Sequence, residues 1–433
     1  MIERRDAAAL AVFRMAFGAL VTVSALRFLA YGWVDTLFAV PFRFQYFGFE
    51  WVPSLGVEGV RALFGALVLL GIMVAVGAFY RLAIVSLFVT FTWVQLLDVS
   101  NYLNHYYLVS LLALLMCFMP LHRLWSVDAW LRPGLRAQTL PSWCTWLLRF
   151  QVGTVYFFAA VAKFNTDWLI HGAPLHLWLS SRSAWLTSPE VAWFASWAGF
   201  LFDLSAPFLL SWKRTRKLAY VAVLGFHLTT SLLFPIGMFP FIMMLSTLVF
   251  FDASWPRRLV RTPAPTPAAG RTPRWVLVPV LVWCVVQLAV PLRAFLYEGD
   301  VSWHEQGMRF SWRVMTREKN GSVTYVVRQR STGREWHVTP NQYLTPVQER
   351  ELSVQPDLIL QLARHIGDEF HARGLKDIEV RADTLVSLNG RPAVPLVDET
   401  VNLLEVRDSL APAAWITPRP STEPVTPALF SRL

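Results

Sequence analysis

The chain is short of charge. Of its 433 residues, 16% are charged and 55% are hydrophobic, whereas about 25% of the residues of an ordinary soluble domain are charged. A soluble protein of this length would not need so many separate apolar segments of membrane-spanning length. The composition therefore argues against a soluble enzyme and predicts an integral membrane protein.

Cysteine is also scarce, with three residues, Cys117, Cys144 and Cys284. They form no CxxC pair and no spacing typical of metal ligands. Cys117 and Cys284 lie in apolar runs, where a cysteine behaves as a small buried hydrophobic residue. The sequence thus predicts no metal site, and no disulfide in the C-terminal region, which contains no cysteine.

The common catalytic and nucleotide-binding motifs are missing. There is no GxxxxGK[ST], no GxGxxG, no HExxH and no GxSxG between a strand and a helix, so nothing indicates nucleotide, zinc or serine-hydrolase chemistry. The net charge of +10 raises the question of nucleic-acid binding. Much of that charge lies in short loops between apolar runs, where it orients helices in a membrane. We therefore predict no nucleic-acid partner.

Apolar stretches that can each form a spanning helix occupy most of residues 1–296. We predict an α-helical polytopic membrane bundle of about nine transmembrane helices there. The approximate cores of these spans are 8–29, 62–80, 82–98, 103–119, 146–164, 192–211, 218–234, 238–251 and 275–295. The eighth is short, since about 20 residues is usual, so it would start earlier or be partly re-entrant.

Two tryptophan-rich stretches, 123–143 and 171–190, are only partly apolar and are predicted to lie at the membrane interface. Their tryptophans include Trp125, Trp130, Trp178 and Trp185. The apolar run from Ala7 resembles a signal peptide. Because it contains Arg14 and Arg27 and no clear cleavage site follows, it is interpreted as a retained first helix.

The basic residues of the loops predict the orientation. If the N-terminus is cytoplasmic and the spans alternate, fifteen loop arginines and lysines fall on the cytoplasmic side and three on the outer side. Such a bias is the usual determinant of topology. Nine spans then put the C-terminal domain outside the cytoplasm. We expect a multi-pass protein of a bacterial inner membrane.

Residues 297–433 have the composition of a soluble domain, and a Pro-rich linker at 262–274 precedes the last span. We predict a small extracytoplasmic α+β domain. Its predicted elements are strands at 309–315, 322–330 and 335–339, a helix at 357–372, and strands at 376–386 and 392–397 that flank an Asn389-Gly390 turn.

Two polar clusters lie at the ends of predicted spans, where polar residues are costly and therefore candidates for function. Ser100–His105 opens the fourth span, and Lys163–Trp168 closes the fifth. The predicted topology puts both clusters on the outer side, together with the long first loop around 42–51 and the C-terminal domain. We therefore expect one site at this outer rim.

Lys163 follows the apolar run 156–162, and partial desolvation there would make a neutral amine available as a base. The alternative is a snorkelling lysine that pairs with Asp167, four residues on. His105 is either a proton shuttle or a hydrogen-bonded interfacial residue. Asp203 and His227, inside predicted spans, either line a polar cavity or form buried structural hydrogen bonds.

Several short stretches resemble, in collinear order from about residue 10 to 418, the vitamin K-dependent gamma-glutamyl carboxylase family. The membrane body of that family is shared with the wider HTTM group of bacterial proteins. The stretches are Tyr46–Trp51, Asn104–Leu108, Trp125–Asp128, Val155–Trp168 and Gly307–Met315. Several short matches in the right order are more specific than any one of them.

The resemblance implies a reaction. In this family a base deprotonates reduced vitamin K, and oxygen converts the hydroquinone anion, through a strongly basic alkoxide, to the epoxide. The alkoxide removes a γ-proton from a protein-bound glutamate, and the carbanion captures CO2. A dry pocket at the outer rim would protect the strong base from water. The implied cofactor is a quinol of the menaquinol or phylloquinol type, with O2 and CO2 as co-substrates and without metal, biotin or ATP.

The resemblance also implies roles for individual residues. Lys163 corresponds to the catalytic base, and His105 to the histidine that supports hydroquinone deprotonation or the resulting anion. The supporting residues are expected to be Asn104, Asn165, Asp167 and Trp168. The substrate-binding residues are expected to be Trp312, Arg313, Met315, Arg317 and Lys319.

The sequence departs from the family at some of these positions. The family often has two lysines where Ala162-Lys163 stands, and it has an acid where Asn165 stands. In animal members a histidine lies near the position of Arg317, and an arginine stands where this chain has Lys319.

We therefore predict a quinol-dependent gamma-glutamyl carboxylase whose partners are the lipid bilayer, a membrane quinol and a Glu-containing peptide or protein. The alternative is a non-catalytic or divergent HTTM-fold protein that binds quinone or lipid. A transporter is a further alternative, but a transporter should show polar residues through the membrane depth and broken helices in both halves. Here the polar clusters gather at one rim.

This prediction has two geometric consequences. The Lys163 amine should face a cavity between the fourth and fifth spans, within reach of His105 directly or through one bound quinol. At least one of Arg309, Arg313, Arg317 and Lys319 should approach the outer ends of those spans, because an acidic substrate needs a cationic partner. Strand alternation would put Arg313, Met315 and Arg317 on one face and Trp312 on the other.

Overall fold

The computed structural model describes residues 3–182, 187–265 and 273–424, and most of its N-terminal part is helical. Each of the nine predicted spans overlaps a helix of the described residues. These are α1 (Ala8–Ala30), α3 (Gly56–Val76), α4 (Tyr80–Leu96), α5 (Asn104–Phe118), α7 (Ser142–Lys163), α10 (Pro189–Ser211), α11 (Arg216–Leu233), α12 (Phe239–Ser246) and α14 (Leu277–Leu292).

Within the described residues, five helices are long and apolar enough to cross a membrane. They lie at 8–30, 56–76, 142–163, 189–211 and 274–296. Three further helices, Tyr80–Leu96, Asn104–Phe118 and Phe239–Phe250, are apolar but shorter. The helical positions therefore agree with the sequence prediction, whereas among the described residues five helices, not nine, have the length and hydropathy of a membrane span.

Short elements connect these helices. They are the helices α2 (Trp33–Phe38), α6 (Val127–Leu131), α8 (Thr166–Leu169), α9 (Ala173–Ser180) and α13 (Trp255–Leu259), and the strands β1 (Arg4–Asp6) and β2 (Thr139–Pro141). Where they are described, the two predicted interfacial stretches contain α6, α9, β2, short turns and the first residues of α7 and α10, and no complete spanning helix. Trp185, one of the tryptophans assigned to the interface, lies outside the described residues.

Helices α1 and α3 approach each other at glycines. A Cβ atom on Gly18 would lie 2.5 Å from the Gly71 carbonyl oxygen, and one on Gly71 would lie 3.0 Å from the Gly18 oxygen. Because neither position carries a side chain, the two backbones come into direct contact, which is how small residues serve helix packing in membranes. A larger side chain at either position would separate the pair.

The two ends of the bundle differ. At one end β1 pairs antiparallel with β2, which places the starts of α1 and α7 side by side. A buried ion pair at this end joins Asp6 Oδ2 to Arg257 Nε at 2.6 Å. The far ends of α1 and α7, including Lys163, therefore lie at the opposite end of the bundle.

The C-terminal region begins with α15 (Val301–His304) and contains a small sheet. Its other elements are β3 (Lys319–Gln329), β4 (Glu335–Val338), α16 (Pro346–Leu352), α17 (Pro356–Ala372) and β5 (Ile378–Leu388). The strand order is β4-β3-β5 and all pairings are antiparallel. The apolar side of α17, including Leu358, Leu362 and Ile366, is fully buried in the same core as the sheet. This region has the predicted α+β composition.

The first predicted strand of this region is wrong. Residues 309–315 form turns, and Phe310, Trp312 and Met315 have φ angles of 64°, 58° and 50°. Such left-handed residues cannot belong to a regular strand, so the predicted separation of Arg313, Met315 and Arg317 from Trp312 on two strand faces does not apply. The sheet begins instead at Lys319.

The Asn389-Gly390 turn is confirmed, with φ angles of 52° and 77° at its two residues. The hairpin that it closes is shorter than predicted. After the turn, the pairing consists of one isolated bridge between Val386 and Val394 rather than a strand at 392–397. Most of β5 pairs instead with β3 on its other side.

The first loop of the membrane part belongs physically to the core of the C-terminal region. Phe44 and Tyr46 are buried among the apolar residues of that region. The backbone N–H of Gln45 donates to Gln361 Oε1 at 2.9 Å, and Gln361 Nε2 donates back to the Gln45 oxygen at 3.0 Å. The loop therefore fixes α17 against the bundle.

Candidate functional site

Lys163 is the last residue of α7, and its amine is buried against α10. Nζ donates to Asp203 Oδ2 at 2.8 Å and to the Ala159 oxygen at 3.3 Å, and it lies 5.3 Å from the centre of the Trp168 ring. The alternative in which Lys163 pairs with Asp167 is therefore not what the structure has, since the carboxylate that binds the amine is Asp203. The amine also does not face an apolar cavity between α5 and α7, because its partner is a carboxylate on α10.

The turn after Lys163 explains why Trp168 lies beside the amine. Asn165 caps the short helix α8, since its Oδ1 accepts from the Trp168 backbone N–H at 3.0 Å. Its Nδ2 donates to the Ala162 oxygen at 3.0 Å. The chain thereby doubles back, and the Trp168 indole N–H donates to the Ser196 oxygen of α10 at 2.9 Å. Asn165 and Trp168 thus hold the end of α7 against α10.

Asp167 joins the membrane part to the C-terminal region. Its carboxylate accepts from Arg391 Nη1 and Nη2 at 2.6 and 2.7 Å and from Asn389 Nδ2 at 2.7 Å. All three residues are buried. Burial raises the pKa of Asp167, but the hydrogen bonds from Arg391 and Asn389 more than offset it and hold the pKa below its usual value. Asp167 is therefore an anionic docking residue.

His105 lies in the first turn of α5 and is buried. Its ring centre is 6.0 Å from that of Phe239, whose other neighbour is His227 at 5.7 Å. His227 Nε2 and the Tyr156 hydroxyl are hydrogen-bonded at 2.9 Å. Tyr156 precedes Lys163 by two helical turns and so lies on the same face of α7. A continuous series of rings thus leads from His105 to the Lys163 face of α7.

One nitrogen in this series is unsatisfied. His227 is 1% exposed, and its Nδ1 has no hydrogen-bond partner among the described residues. A buried polar atom without a partner is costly unless a ligand or water supplies one. The hydrogen bond to Tyr156 is the structural role that the sequence left open for His227, and its Nδ1 remains without a partner among the described residues.

Aromatic residues bring the C-terminal region to α5. The Tyr102 hydroxyl accepts from the Phe310 backbone N–H at 2.8 Å and donates to Asn104 Oδ1 at 3.0 Å. The Trp312 ring stacks on Tyr107 of α5 with a centroid distance of 4.9 Å, and Trp312 is 1% exposed. Asn104 and Trp312 therefore lie at the junction of the two parts.

The predicted cationic residues form their ion pairs within the C-terminal region, not with α5 or α7. Arg309 pairs with Asp357 at 2.5 Å, Arg317 pairs with Glu305, and Lys319 lies 3.3 Å from Glu305. Burial lowers the pKa of Lys319 to about 8, although Glu305 acts in the opposite direction. These three charges are therefore compensated internally.

Arg313 differs from the other three cations. Its guanidinium lies 5.9 Å from the Phe295 ring, just after α14, and no ion pair involves it in the part of the chain that the structure describes. Burial lowers its pKa. Met315, next but one, is half-buried. Of the four predicted cations, Arg313 is therefore the one whose charge no ion pair among the described residues compensates.

The segments that the sequence assigns to the outer rim lie together at one end of the bundle. Gln348 of α16 donates to Asp98 Oδ2 and to the Phe42 oxygen, each at 2.9 Å. With the Arg391–Asp167 contact, these bonds bring the first loop, the start of α5, the end of α7 and the C-terminal region to one end of the bundle. The sequence did not single out Tyr156, Phe239 or Arg391, since their partners are distant in the chain.

An apolar cleft borders α5. It is lined by α1, α4, α5 and α12, with Phe17, Phe91, Tyr106 and Met238 among its residues. Tyr106 is the neighbour of His105 in the chain and also lines an adjoining cleft.

The comparisons with known proteins agree with this arrangement. The sequence model of the HTTM domain matches residues 2–255, which defines the chain as an HTTM-type integral membrane protein. The model of the vitamin K-dependent gamma-carboxylase lumenal domain matches residues 272–422. The chain belongs to the vitamin K-dependent gamma-glutamyl carboxylase family. No solved structure matches it.

Proposed function

We propose that this protein is a quinol-dependent gamma-glutamyl carboxylase that couples quinol epoxidation by O2 to the carboxylation of protein glutamate. The observation that carries the proposal is the position of Lys163. Lys163 is the last residue of α7, and its buried amine lies 2.8 Å from Asp203 Oδ2. The residues that follow it bind the C-terminal region through the hydrogen bond from Arg391 to Asp167. A base from the membrane part and a peptide held by the C-terminal region would meet there.

The residues around this position fit a quinol. The rings of His105, Phe239 and His227 offer flat surfaces for an aromatic head group, and His227 Nδ1 lacks a partner in the part of the chain that has been described. The cleft that Tyr106 lines is apolar, as the surroundings of a quinol tail would need to be. When bound, reduced vitamin K supplies, with O2, the strong base that removes the glutamate γ-proton.

The chain's own residues have distinct tasks in this proposal. Lys163 accepts a hydroxyl proton as general base, for which it must first be unprotonated. His105 and His227 position the head group and donate or accept hydrogen bonds. The docked C-terminal region, held by Arg391 on Asp167, covers this end of the bundle and keeps water out.

We propose that this end faces outside the cytoplasm. The opposite end carries β1, β2 and the Asp6–Arg257 pair, and the loops there contain the basic residues that the positive-inside rule places in the cytoplasm. Single cysteines introduced after residue 300, in a variant without the three native cysteines, should react with an impermeant maleimide added outside intact cells. Reaction only after the cells are opened would contradict this orientation.

The activity can be tested directly. Membranes containing the protein are incubated with a Glu-containing peptide, reduced vitamin K, bicarbonate and oxygen, and the peptide is examined by mass spectrometry. We expect the mass to rise by one CO2 per modified glutamate, with quinone epoxide formed in parallel. Omitting the quinol, and replacing Lys163 by Ala, are the controls. Neither product with the unmodified protein would refute the proposal.

A second candidate function is binding of quinone or lipid without catalysis, and it is favoured because every N–H group of a protonated Lys163 has a partner. An amine paired with Asp203, the Ala159 oxygen and the Trp168 ring is also what a purely structural ion pair requires. The protein would then bind quinone or lipid without transforming it. Quenching of tryptophan fluorescence by menaquinone, without epoxide or carboxylated peptide, would identify this case.

A further inference from the structure

The surroundings of Lys163 are suited to its protonated form. A protonated lysine has three N–H donors and no acceptor. The structure provides three partners: the carboxylate of Asp203, the Ala159 oxygen and the face of Trp168. A base must give up one of these protons before it can act, so a nearby group has to receive it.

We propose that Asp203 is a positioning residue for Lys163 that holds the amine at the end of α7 and receives its proton. This inference rests on the proposed function, in which Lys163 is the base. In the transfer, one Nζ–H bond breaks and an O–H bond forms on Asp203 Oδ2. An ammonium and a carboxylate become a neutral amine and a neutral carboxylic acid, so no charge is created.

The 2.8 Å separation allows this transfer without movement of either helix. Burial lowers the free-energy cost of this proton transfer. Each side chain of the pair is 7% exposed, and a buried ion pair loses most of the solvation that favours the charged forms. The neutral form of the pair is therefore much closer in free energy to the ionic form than it would be at a surface.

The carboxylate is held in place from two sides. Phe202, its neighbour on α10, packs on Tyr156 and His227 with ring centres 5.8 and 6.2 Å away. The Trp168 indole ties the chain after Lys163 to Ser196 of the same helix. Because both contacts fix α10 relative to α7, the Asp203 carboxylate stays within reach of the amine.

The test measures how readily the Lys163 amine reacts. The full-length protein in membranes is treated with phenyl isothiocyanate, an apolar reagent that attacks only neutral amines, and modification of Lys163 is quantified by mass spectrometry. In Asp203→Asn the ammonium loses its anionic partner, so we expect Lys163 to react at least several-fold faster than in the unmodified protein. In Asp203→Glu, which keeps the carboxylate, the rate should return towards that of the unmodified protein.

A matched control is available at the other end of the bundle. The Asp6–Arg257 pair has the same side-chain exposure, 7% for each partner, so Asp6→Asn disturbs an equally buried ion pair. It should leave the reactivity of Lys163 unchanged. Equal Lys163 reactivity in Asp203→Asn and the unmodified protein, or an equal increase in Asp6→Asn, would overturn the inference.

Kinetics separate this role from a general loss of folding. In Asp203→Asn the amine is more often neutral, but it is no longer held in place by the carboxylate. We therefore expect kcat for quinol epoxidation to fall at least tenfold with little change in KM for the quinol, with partial recovery in Asp203→Glu. If Lys163 reactivity changes as expected but even the unmodified protein forms no epoxide, the proposed function fails while the pairing inference stands. If epoxide is formed but Lys163 reactivity is unaltered by Asp203→Asn, only the Asp203 inference fails.

Discussion

Two buried ion pairs start from residues four positions apart in the chain, yet they differ in kind. Lys163–Asp203 lies inside the helix bundle and is joined by one hydrogen bond between the charged groups. Arg391–Asp167 joins the bundle to the C-terminal region by two hydrogen bonds, supported by one from Asn389. A lysine can lose its proton, whereas an arginine in a protein cannot.

The difference suits the two neighbouring ion pairs to different roles, proton transfer for one and a fixed contact between two parts of the protein for the other. The pair that includes lysine contains a cation that can give up its proton, and it lies on the face of α7 that Tyr156 shares. The pair that includes arginine is permanently ionic and has fork geometry, which suits a fixed joint between two parts of a protein. Changes to the first pair should therefore affect reaction rates, and changes to the second should affect docking.

The largest effect is expected for Lys163→Ala. A positioned general base contributes about 10²–10⁴-fold to a rate, so quinol epoxidation and glutamate carboxylation should fall together by about that factor. A small amine added to the membranes should partly restore both, since it can enter the space left by the side chain. Lys163→Arg should not restore them, because guanidinium stays protonated. Chromatography of the quinone epoxide and mass spectrometry of the peptide measure the two products.

The stability control for this variant is Lys163→Ala combined with Asp203→Asn, which leaves no unpaired buried charge. The double variant should fold at least as well as Lys163→Ala and remain inactive. Normal epoxidation by Lys163→Ala would show that another residue is the base.

The second pair is broken by Asp167→Asn. Removing one partner of a buried ion pair typically costs about 3–5 kcal/mol. Here the loss would weaken the contact between the bundle and the C-terminal region. We expect faster proteolysis of residues 297–424 and a lower Tm in detergent, without any increase in the phenyl isothiocyanate reactivity of Lys163. Asp383→Asn, which changes an exposed carboxylate in the same region, is the control. Unchanged protease resistance in Asp167→Asn would contradict a docking role.

A third buried cation, Lys319, gives an effect that depends on pH. Its pKa is about 8 in the folded protein, compared with 10.5 for an ordinary lysine. Between these values the unfolded chain binds more protons, so stability rises with pH from about 8 to 10.5, by up to about 3 kcal/mol, and the same stability is lost as the pH falls from 10.5 to about 8. Lys319→Met should lack this contribution. Equal pH dependence of unfolding in both proteins would contradict it.

The smallest effect is expected for Arg313→Ala. Hydrogen bonds to charged groups contribute about 1.5–3 kcal/mol, which corresponds to a rise of about tenfold or more in KM for a Glu-containing peptide, with kcat little changed. Arg350, whose side chain is 74% exposed, provides the control variant Arg350→Ala. Equal KM values for the two variants would remove Arg313 from the substrate site.

Much of the architecture could be predicted because it depends on local sequence. Apolar stretches of helical length predicted the positions of nine helices in the described membrane part, and the position of Lys163 at the end of one of them was also predicted. The strand at 309–315 failed because its backbone follows tertiary contacts. Phe310 and Trp312 pack on Tyr102 and Tyr107 of the bundle, and the turns that allow this override the alternating pattern.

By itself, the sequence determined that the chain is a membrane protein with a small α+β region after its last span, and which polar residues stand at one rim. Hydrophobic burial decides both, and it can be read from composition and periodicity. Only the tertiary structure decided which charges meet. Asp203 lies 40 residues from Lys163, and Arg391 lies 224 residues from Asp167. Nothing local favours one acid over another, because the choice depends on how α7, α10 and the Asn389-Gly390 turn pack together.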